Sequence, residues 1–205
     1  MSLTNKSVRD LLTAFSSSDP TPGGGSAAAL SSAIGASLLL MVAGLPKTRS
    51  GSDADRDSLA KVVAGLEPIR QSLTDAIDAD AAAYDQVTAA YRLPKADAGE
   101  QAARTAAIQA ALRAATELPR HVIHHSLMAL GLAAIVATHG NRSASSVVGV
   151  AIALLKAGAA GAKLNVDINL ESLADLTYRE AVRQITQTSM AEVEASAARA
   201  AALLA

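Results

Sequence analysis

The stretch DAIDADAAAYDQVTAAYRLPK, residues 75–95, contains the side chains best suited to move a proton. On a helix, Asp80 shares a face with Tyr84 and Tyr91, whereas Asp78 belongs to an acidic stripe on another face. Burial of a carboxyl group raises its pKa, and a raised pKa suits general acid–base catalysis. The opposing interpretation is an aspartate that only accepts a hydrogen bond from a tyrosine hydroxyl. The stretch alone leaves both open.

Three consecutive glycines, Gly23, Gly24 and Gly25, precede a run that carries no charge until Lys47. Amides at a helix N-terminus attract anions, and glycine lets a ligand approach the backbone. The segment lacks the GK[ST] sequence of a phosphate-binding loop, and no predicted strand precedes it, so neither nucleotide fingerprint applies. The glycines therefore indicate either a ligand contact or a turn with close helix packing. We expect Ser26 to cap the helix that follows.

Three asparagines occur in the second half of the chain. Asn165 and Asn169 are four residues apart, so both amides face one point if their helix is continuous. Buried amides need hydrogen-bond partners, which favours a polar pocket. Asn141 follows Gly140, a pair that is also typical of an ordinary turn. Capping and turn formation are thus the alternative interpretation.

Histidines raise the question of a metal. His121 and His125 have the spacing of a metal-binding pair on one helix face. No glutamate lies between them and no third ligand is apparent nearby, so we expect no metal site. The chain has no cysteine, which excludes disulfides, thiol catalysis and thiolate-bound zinc.

These residues must be positioned by helices, because the composition is typical of an all-α fold. The 205 residues are 50% hydrophobic but include only one Phe, three Tyr and no Trp. Alanine, the strongest helix former, is abundant. Periodicity predicts an antiparallel multi-helix bundle of seven to eight helices in a single domain, residues 1–205, with Pro68 and Pro119 as breaks. The predicted helices are 7–15, 26–45, 53–66, 68–91, 100–118, 121–138, 143–169 (with a break near 165) and 173 to the end.

Residues 20–46, 121–141 and 143–155 are uncharged, and the first two runs are long enough to span a membrane. They are rich in Ala, Ser, Gly and His, the chain has no Trp, and no Lys/Arg bias between loops is clear. We therefore expect central helices of a soluble bundle and no membrane partner.

Charge argues against a nucleic-acid partner. The net charge is −1, and the scattered basic residues lack aromatic neighbours that would stack on bases. The N-terminus lacks the apolar core of a signal peptide, which favours a cytoplasmic location.

Several motifs, taken together and in order, resemble the cyclodeaminase/cyclohydrolase family. Along the chain they are PTPGGGSAAALSSAIGASL, then DADAAAY with RLPK, then GN with NVDINL. This family comprises the C-terminal half of formiminotransferase-cyclodeaminase and stand-alone bacterial methenyltetrahydrofolate cyclohydrolases. The resemblance covers residues 5–200 and implies an all-helical homodimer acting on one-carbon forms of tetrahydrofolate, without metal or redox cofactor. It assigns acid/base roles to Asp78 and Asp80. The pocket positions it implies are Gly23, Gly24, Gly25, Ser26, Lys95, Asn141, Asn165 and Asn169.

One position departs from the family pattern. After the Gly-Asn pair the family usually carries Ser-Asp, where this chain has Ser146-Val147. Because a carboxylate is missing there, a catalytically impaired folate-binding relative is one alternative to an enzyme. A helical interaction protein without a small-molecule site is another.

Since no formiminotransferase domain is apparent, cyclohydrolase activity is expected rather than cyclodeaminase activity. We expect four basic residues to lie near the glutamate tail of folate: Lys47, Arg49, Arg92 and Lys95.

Overall fold

The computed structural model describes residues 2–204 and contains six α-helices over that range. They are α1 (Val8–Phe15), α2 (Gly24–Ala43), α3 (Asp53–Tyr91), α4 (Ala98–His139), α5 (Ser145–Glu171) and α6 (Leu176–Ala202). Two short 3₁₀ helices, Leu3–Asn5 and Arg142–Ala144, precede α1 and α5. The all-α prediction is confirmed, since no strand occurs within the described residues. The number of helices is six, however, and the predicted seven to eight is wrong.

Two prolines that the sequence predicts as helix breaks lie inside long helices instead. Pro68 is within α3 and Pro119 within α4, so each helix joins two predicted ones. An interior proline costs about 3 kcal/mol, because it removes a hydrogen bond and clashes with the preceding turn. In α3 a buried stripe continues past the proline and offsets this cost. Its members, each at most 4% exposed, are Leu59, Val62, Leu66, Ile69, Leu73 and Ile77.

Two smaller expectations are also wrong. Ser26 does not cap α2, because the helix has already begun and the Ser26 hydroxyl donates a 2.8 Å hydrogen bond to the carbonyl of Ile77 in α3. α5 has no break at Asn165. The amide of Asn165 donates to the carbonyl of Gly161 one turn earlier, so this side chain stays on its own helix.

α2, α3, α4 and α5 pack side by side as a four-helix bundle, and α6 packs on α4 and α5. α2 and α5 run antiparallel. Gly158 of α5 lies against Ala28 and Ser32 of α2, and Gly35 of α2 lies against Leu155. Small residues on both helices thus bring the two backbones into direct contact.

Gly158→Ala should destabilise this bundle by about 1–3 kcal/mol, the usual cost of overpacking a core. A Cβ at Gly158 would lie 2.0 Å from the Ser32 hydroxyl oxygen and 2.7 Å from the backbone oxygen of Ala28, so α2 would have to move away. Gly131→Ala is the control, since nothing lies within 4 Å of its Cβ and alanine favours a helix by up to about 1 kcal/mol over glycine. Urea unfolding measures the difference, and equal stability of the two variants would contradict the close contact.

Three segments, Gly24–Ala43, Ala98–His139 and Arg142–Glu171, are long and apolar enough to cross a membrane by length and composition. Their most apolar windows are 56%, 44% and 39% buried by the rest of the protein. α2 is therefore mainly an internal helix of the bundle, and the absence of a membrane partner stays a prediction.

α3 and α4 extend beyond the helices on which they pack. They have 39 and 42 residues, compared with 20 in α2 and 27 in α5. Because α2 begins level with Asp80, the end of α3 projects past it by about 16 Å at the helical rise per residue. Arg104 of α4 donates to the carbonyl of Tyr91 at 2.9 Å and joins the two helices near their tip. We call residues 81–91 and 98–108 the arm.

α1 forms as predicted but contributes little to the core. Ser7 caps it by accepting a hydrogen bond from the Asp10 amide. Two of its large apolar residues, Val8 and Leu12, are 76% and 63% exposed. α1 therefore lies on the surface, between the buried Leu3 and the start of α2.

Candidate active site

A cleft of about 180 Å³ lies at the base of the arm, where the N-terminus of α2 meets α3, α4 and α5. It is smaller than the roughly 300–1,000 Å³ of a typical ligand pocket and has room for one ring system. The lining residues are Pro20, Thr21, Gly23, Asp80, Ala83, Tyr84, Val87, Ala115 and Asn169.

Asp80 supplies the carboxyl group of this cleft. Its Oδ2 accepts a 2.8 Å hydrogen bond from the Ser26 amide in the first turn of α2 and a 3.1 Å contact from the Ser26 hydroxyl. Burial raises the pKa of Asp80 above its usual value and outweighs the opposing effect of the Ser26 hydrogen bonds. A half-buried carboxyl with a raised pKa is suited to giving and taking a proton.

The three glycines differ in what surrounds them. A Cβ at Gly25 would lie 2.0 Å from Oδ1 of Asp80, so the carboxylate occupies the space that a side chain would need. At Gly24 the nearest atom is Nδ2 of Asn165 at 3.8 Å, and at Gly23 it is the carbonyl of Pro20 at 3.7 Å. Gly25 therefore admits the carboxylate, whereas Gly23 and Gly24 have room for a methyl group, and of these two only Gly23 lines the cleft.

Asp78 lies on another face of α3 and does not line the cleft. Its carboxylate accepts hydrogen bonds from the hydroxyls of Ser2 and Thr4, both at 2.7 Å, and from the amide of Leu3. Burial raises the pKa of Asp78, but the hydrogen bonds from Ser2, Thr4 and Leu3 together lower it below the usual value. Of the two aspartates, Asp80 is thus the one at the cleft, and Asp78 anchors the N-terminal residues.

Two of the predicted asparagines lie at or beside the cleft. Asn169 lines it and donates from Nδ2 to the carbonyl of Ala115 at 3.1 Å. Its Oδ1 and the second hydrogen on Nδ2 then remain for a ligand. Asn165 stands next to Gly24 and uses its Nδ2 on the carbonyl of Gly161 at 2.9 Å.

Asn141 and Lys95 are not brought to the cleft of their own chain. Asn141 accepts from the Ser143 amide at 3.0 Å and follows Gly140, which contacts Val42 near the C-terminus of α2. Along α2 this end is about 27 Å from the cleft at the helical rise per residue. Lys95 is exposed in the loop beyond the tip of the arm. Long helices separate Asn141 and Lys95 from the cleft, and the spacing of residues in the sequence does not reveal this separation.

A family model described as Formiminotransferase-cyclodeaminase matches residues 7–188 of the chain. The chain belongs to the formiminotransferase-cyclodeaminase family. The resemblance inferred from the motifs is thereby confirmed.

Individual relatives agree with this assignment. The chain is 40% identical over 176 residues to a methenyltetrahydrofolate cyclohydrolase of Methylorubrum extorquens, covering 86% of this chain and 85% of the relative. It is 31% identical to a formimidoyltransferase-cyclodeaminase of Rattus norvegicus, with 96% of this chain covered but only 36% of that longer protein. The crystal structure of a formiminotetrahydrofolate cyclodeaminase from Thermotoga maritima superposes with a TM-score of 0.86 at 26% identity, covering 98% of this chain and 96% of the other.

Position 147, at which this chain departs from the family pattern, is half-buried in the first turn of α5. It lies at the same end of the bundle as Asn141. No acidic residue occupies the first turn of α5, so the helix dipole has no carboxylate partner there. The missing family carboxylate is therefore remote from Asp80 of the same chain.

Sequence reasoning missed a partly buried His–Asp pair at this second end. Nδ1 of His139, the last residue of α4, is 2.8 Å from Oδ1 of Asp55 in the first turn of α3. The other oxygen of Asp55 accepts from the amide and hydroxyl of Ser50, both at 2.7 Å. His139 and then Ser50 hold the pKa of Asp55 well below its usual range. Because the two partners are 84 positions apart, no local spacing signals the pair.

At the cleft, the lining residues that sequence reasoning did not single out are Pro20, Thr21, Ala83, Val87 and Ala115. Helical spacing places Tyr84 one turn after Asp80 on the same face, and both residues line the cleft. Tyr91 does not join them, since it lies near the tip of the arm beneath Arg104.

Within residues 2–204, no group of three or more His, Asp or Glu side chains is placed to hold a metal ion, and the absence of a metal stays a prediction. His124 and His125 have ring centroids 5.6 Å apart. Burial, followed by the neighbouring His124 and His121, lowers the pKa of His125. A neutral imidazole at position 125 suits its partly buried site.

Proposed function

We propose that this chain is an enzyme of folate one-carbon metabolism, a methenyltetrahydrofolate cyclohydrolase in which Asp80 transfers protons. The observation that carries the proposal is the half-buried Asp80 carboxyl, held by Ser26 at the N-terminus of α2 and facing a cleft that fits one ring system. The 40% identity to a protein named methenyltetrahydrofolate cyclohydrolase, over most of both chains, supports the substrate class.

The reaction adds water to the carbon that bridges two nitrogens and then breaks one carbon–nitrogen bond. Asp80 takes a proton from the attacking water and returns it to the departing nitrogen, while the hydroxyl proton of the intermediate leaves to solvent as the formyl C=O forms. One proton is released overall. The ionised carboxylate also stabilises the delocalised cation of the substrate electrostatically. These steps call for no metal or redox cofactor, and we propose none.

Cyclodeaminase activity is the second candidate, favoured by the TM-score of 0.86 to a protein named formiminotetrahydrofolate cyclodeaminase. In that reaction the amine nitrogen next to the ring attacks the formimino carbon that the ring nitrogen carries, and ammonia leaves. The departing nitrogen must be protonated and the attacking nitrogen must lose a proton. A single carboxyl at the same place serves both transfers.

Turnover assays on the purified chain distinguish these functions. Hydrolysis of methenyltetrahydrofolate is followed by its absorbance, and release of ammonia from formiminotetrahydrofolate by a coupled assay. Folate binding without turnover of either compound would identify an impaired folate-binding relative. Absence of folate binding would favour a helical interaction protein.

We also propose that the protein is a cytoplasmic homodimer without nucleic-acid or membrane partners. The net charge of −1 and the scattered basic residues support the absence of nucleic acid. The burial of α2 among other helices supports a soluble bundle. Light scattering at micromolar concentration, without detergent, tests the dimer.

A further inference from the structure

Pro119 lies in the interior of α4 and removes a helical hydrogen bond next to the cleft. In an α-helix the amide of residue 119 would bind the backbone carbonyl of residue 115. Proline has no N–H, and its ring crowds the carbonyl four positions earlier. The carbonyl of Ala115, a residue that lines the cleft, is thus left without its usual helical donor.

A side chain from another helix replaces the missing donor. Nδ2 of Asn169, near the end of α5, donates to the Ala115 carbonyl at 3.1 Å. Asn169 lines the cleft as well, so the freed carbonyl and its new donor lie together in the cleft wall. Because a backbone carbonyl away from water needs a partner, this hydrogen bond offsets the one that Pro119 removes.

The freed carbonyl also determines which way the Asn169 amide is turned. A side-chain amide has an acceptor, Oδ1, on one side and two donor hydrogens on the other. If the amide of Asn169 turned over, its Oδ1 would face the Ala115 carbonyl, and the two acceptors would repel each other. One hydrogen of Nδ2 is therefore used on Ala115, while Oδ1 and the second hydrogen keep fixed positions.

The chain that follows Asn169 is held against the same part of α4. The side-chain oxygen of Gln109 accepts a 2.7 Å hydrogen bond from the amide of Ala174, in the turn after α5. One helical turn further along α4, the guanidinium of Arg113 lies 2.6 Å from a carboxylate oxygen of Asp175. These contacts fix the end of α5 relative to α4, so Asn169 is kept within reach of the carbonyl that it binds.

The other proline inside a long helix has no such surroundings. The carbonyl that Pro68 frees in α3 belongs to Ala64, and both residues are exposed. Water can satisfy an exposed carbonyl, so no side chain is needed there. Pro119, by contrast, is buried, and the carbonyl that it frees lies at the cleft. The two prolines therefore have the same effect on the backbone in different places, and Pro68 is a natural control.

We propose that Pro119 is a positioning residue of the active site: by withholding an amide from the Ala115 carbonyl, it makes that carbonyl hold and orient the side chain of Asn169 for the substrate. The Oδ1 and remaining N–H of Asn169 then match a ring edge that carries a donor beside an acceptor. The effect on turnover rests on the proposed folate chemistry, whereas the exchange of hydrogen-bond donors does not.

A double-mutant cycle tests the exchange of donors without any ligand. Pro119→Ala supplies an amide at position 119, so the Ala115 carbonyl regains its helical partner and no longer needs Asn169. Asn169→Ala should therefore raise the unfolding equilibrium constant about two- to tenfold more in the wild type than in Pro119→Ala, the usual value of one hydrogen bond. Packing lost with the asparagine is common to both backgrounds and cancels in the cycle. Urea unfolding measures all four proteins.

Two further variants separate the amide from the packing around it. Pro68→Ala restores an amide in α3 instead, so Asn169→Ala should cost as much in that background as in the wild type. Pro119→Val supplies the same amide as Pro119→Ala and fills the space that alanine leaves, so the two should agree. It also replaces Pro119→Ala if the alanine variant does not fold. An equal cost of Asn169→Ala with and without an amide at position 119 would overturn the proposal.

Turnover of methenyltetrahydrofolate shows whether the oriented amide serves the substrate. Pro119→Ala should raise KM about two- to tenfold and leave kcat within about twofold, because Asn169 holds the ring and does not touch the reacting atoms. Pro68→Ala should leave both constants unchanged. An unchanged KM in Pro119→Ala, or a loss in kcat alone, would overturn the role at the cleft. A wild type without turnover would refute the proposed function instead, and the urea cycle would still decide whether Pro119 makes Ala115 hold Asn169.

Discussion

Asp80→Asn should lower the turnover of methenyltetrahydrofolate by about 10²–10⁴-fold, the usual contribution of a general acid–base group. The amide keeps the volume of the carboxyl and can still accept a hydrogen bond from the Ser26 backbone, so α2 and α3 should remain packed. An amide cannot take a proton from water or stabilise a cation by its charge. The loss should therefore appear in kcat more than in KM, measured by absorbance under saturating substrate.

The same substitution should not weaken the fold at neutral pH. Because burial raises the pKa of Asp80, its ionised form is less favourable in the folded chain than in the unfolded one. The stability linked to this group is fully present below the ordinary pKa of aspartate and is lost as the pH rises through the raised value. An asparagine does not ionise, so the Asp80→Asn variant does not lose this stability as the pH rises. Its midpoint of unfolding in urea at neutral pH should therefore equal or exceed that of the wild type.

Asp78→Asn is the matched control, two residues away on the same helix. Asp78 binds Ser2, Leu3 and Thr4 outside the cleft, so its loss should loosen the N-terminal residues and leave kcat within a few-fold. The folded-state pKa of Asp78 is lowered, and the stability that it contributes is present above the ordinary pKa and lost as the pH falls. A larger loss of kcat in Asp78→Asn than in Asp80→Asn would reverse the two roles.

Local rules predicted the helical class and the short helix α1, because these depend on residues close in sequence. They failed at Pro68 and Pro119, where the cost of an interior proline is local but the compensating burial comes from other helices. Likewise Ser26 has a residue type that favours capping, yet its hydroxyl bonds to Ile77 in a helix more than fifty positions away. At Pro68, Pro119 and Ser26, contacts with other helices determine the local structure and override the local preference.

The candidate site was predictable to the extent that it depends on one helix. Asp80 and Tyr84 were placed on one face by helical period and do line one cleft. The pairing of Asp80 with the start of α2, and of His139 with Asp55, joins segments distant in sequence and has no periodic signal. The family motifs name positions that share a pocket without saying whether one chain or two supply them. Spacing alone therefore could not separate Asn141 from the cleft.

Gly25→Ala should reduce turnover nearly as much as Asp80→Asn, although it adds a single methyl group. The new Cβ would lie 2.0 Å from Oδ1 and 2.7 Å from Oδ2 of Asp80, closer than any real contact allows. The carboxyl is the end of a rotatable side chain, so we expect it to turn out of the cleft and lose the Ser26 amide while the helices stay in place. Unfolding in urea should change by no more than about 1–3 kcal/mol, the usual range for overpacking.

Gly24→Ala and a double variant make this prediction specific to Asp80. A Cβ at Gly24 has only Nδ2 of Asn165 nearby, at 3.8 Å, so Gly24→Ala should fold as the wild type does. In an Asp80→Ala background the clash partner is absent, and adding Gly25→Ala should then cost no stability and gain up to about 1 kcal/mol from helix propensity. If Gly25→Ala destabilises the Asp80→Ala protein as much as it does the wild type, the strain arises elsewhere. Asp80 would then not be the reason for a glycine at the start of α2.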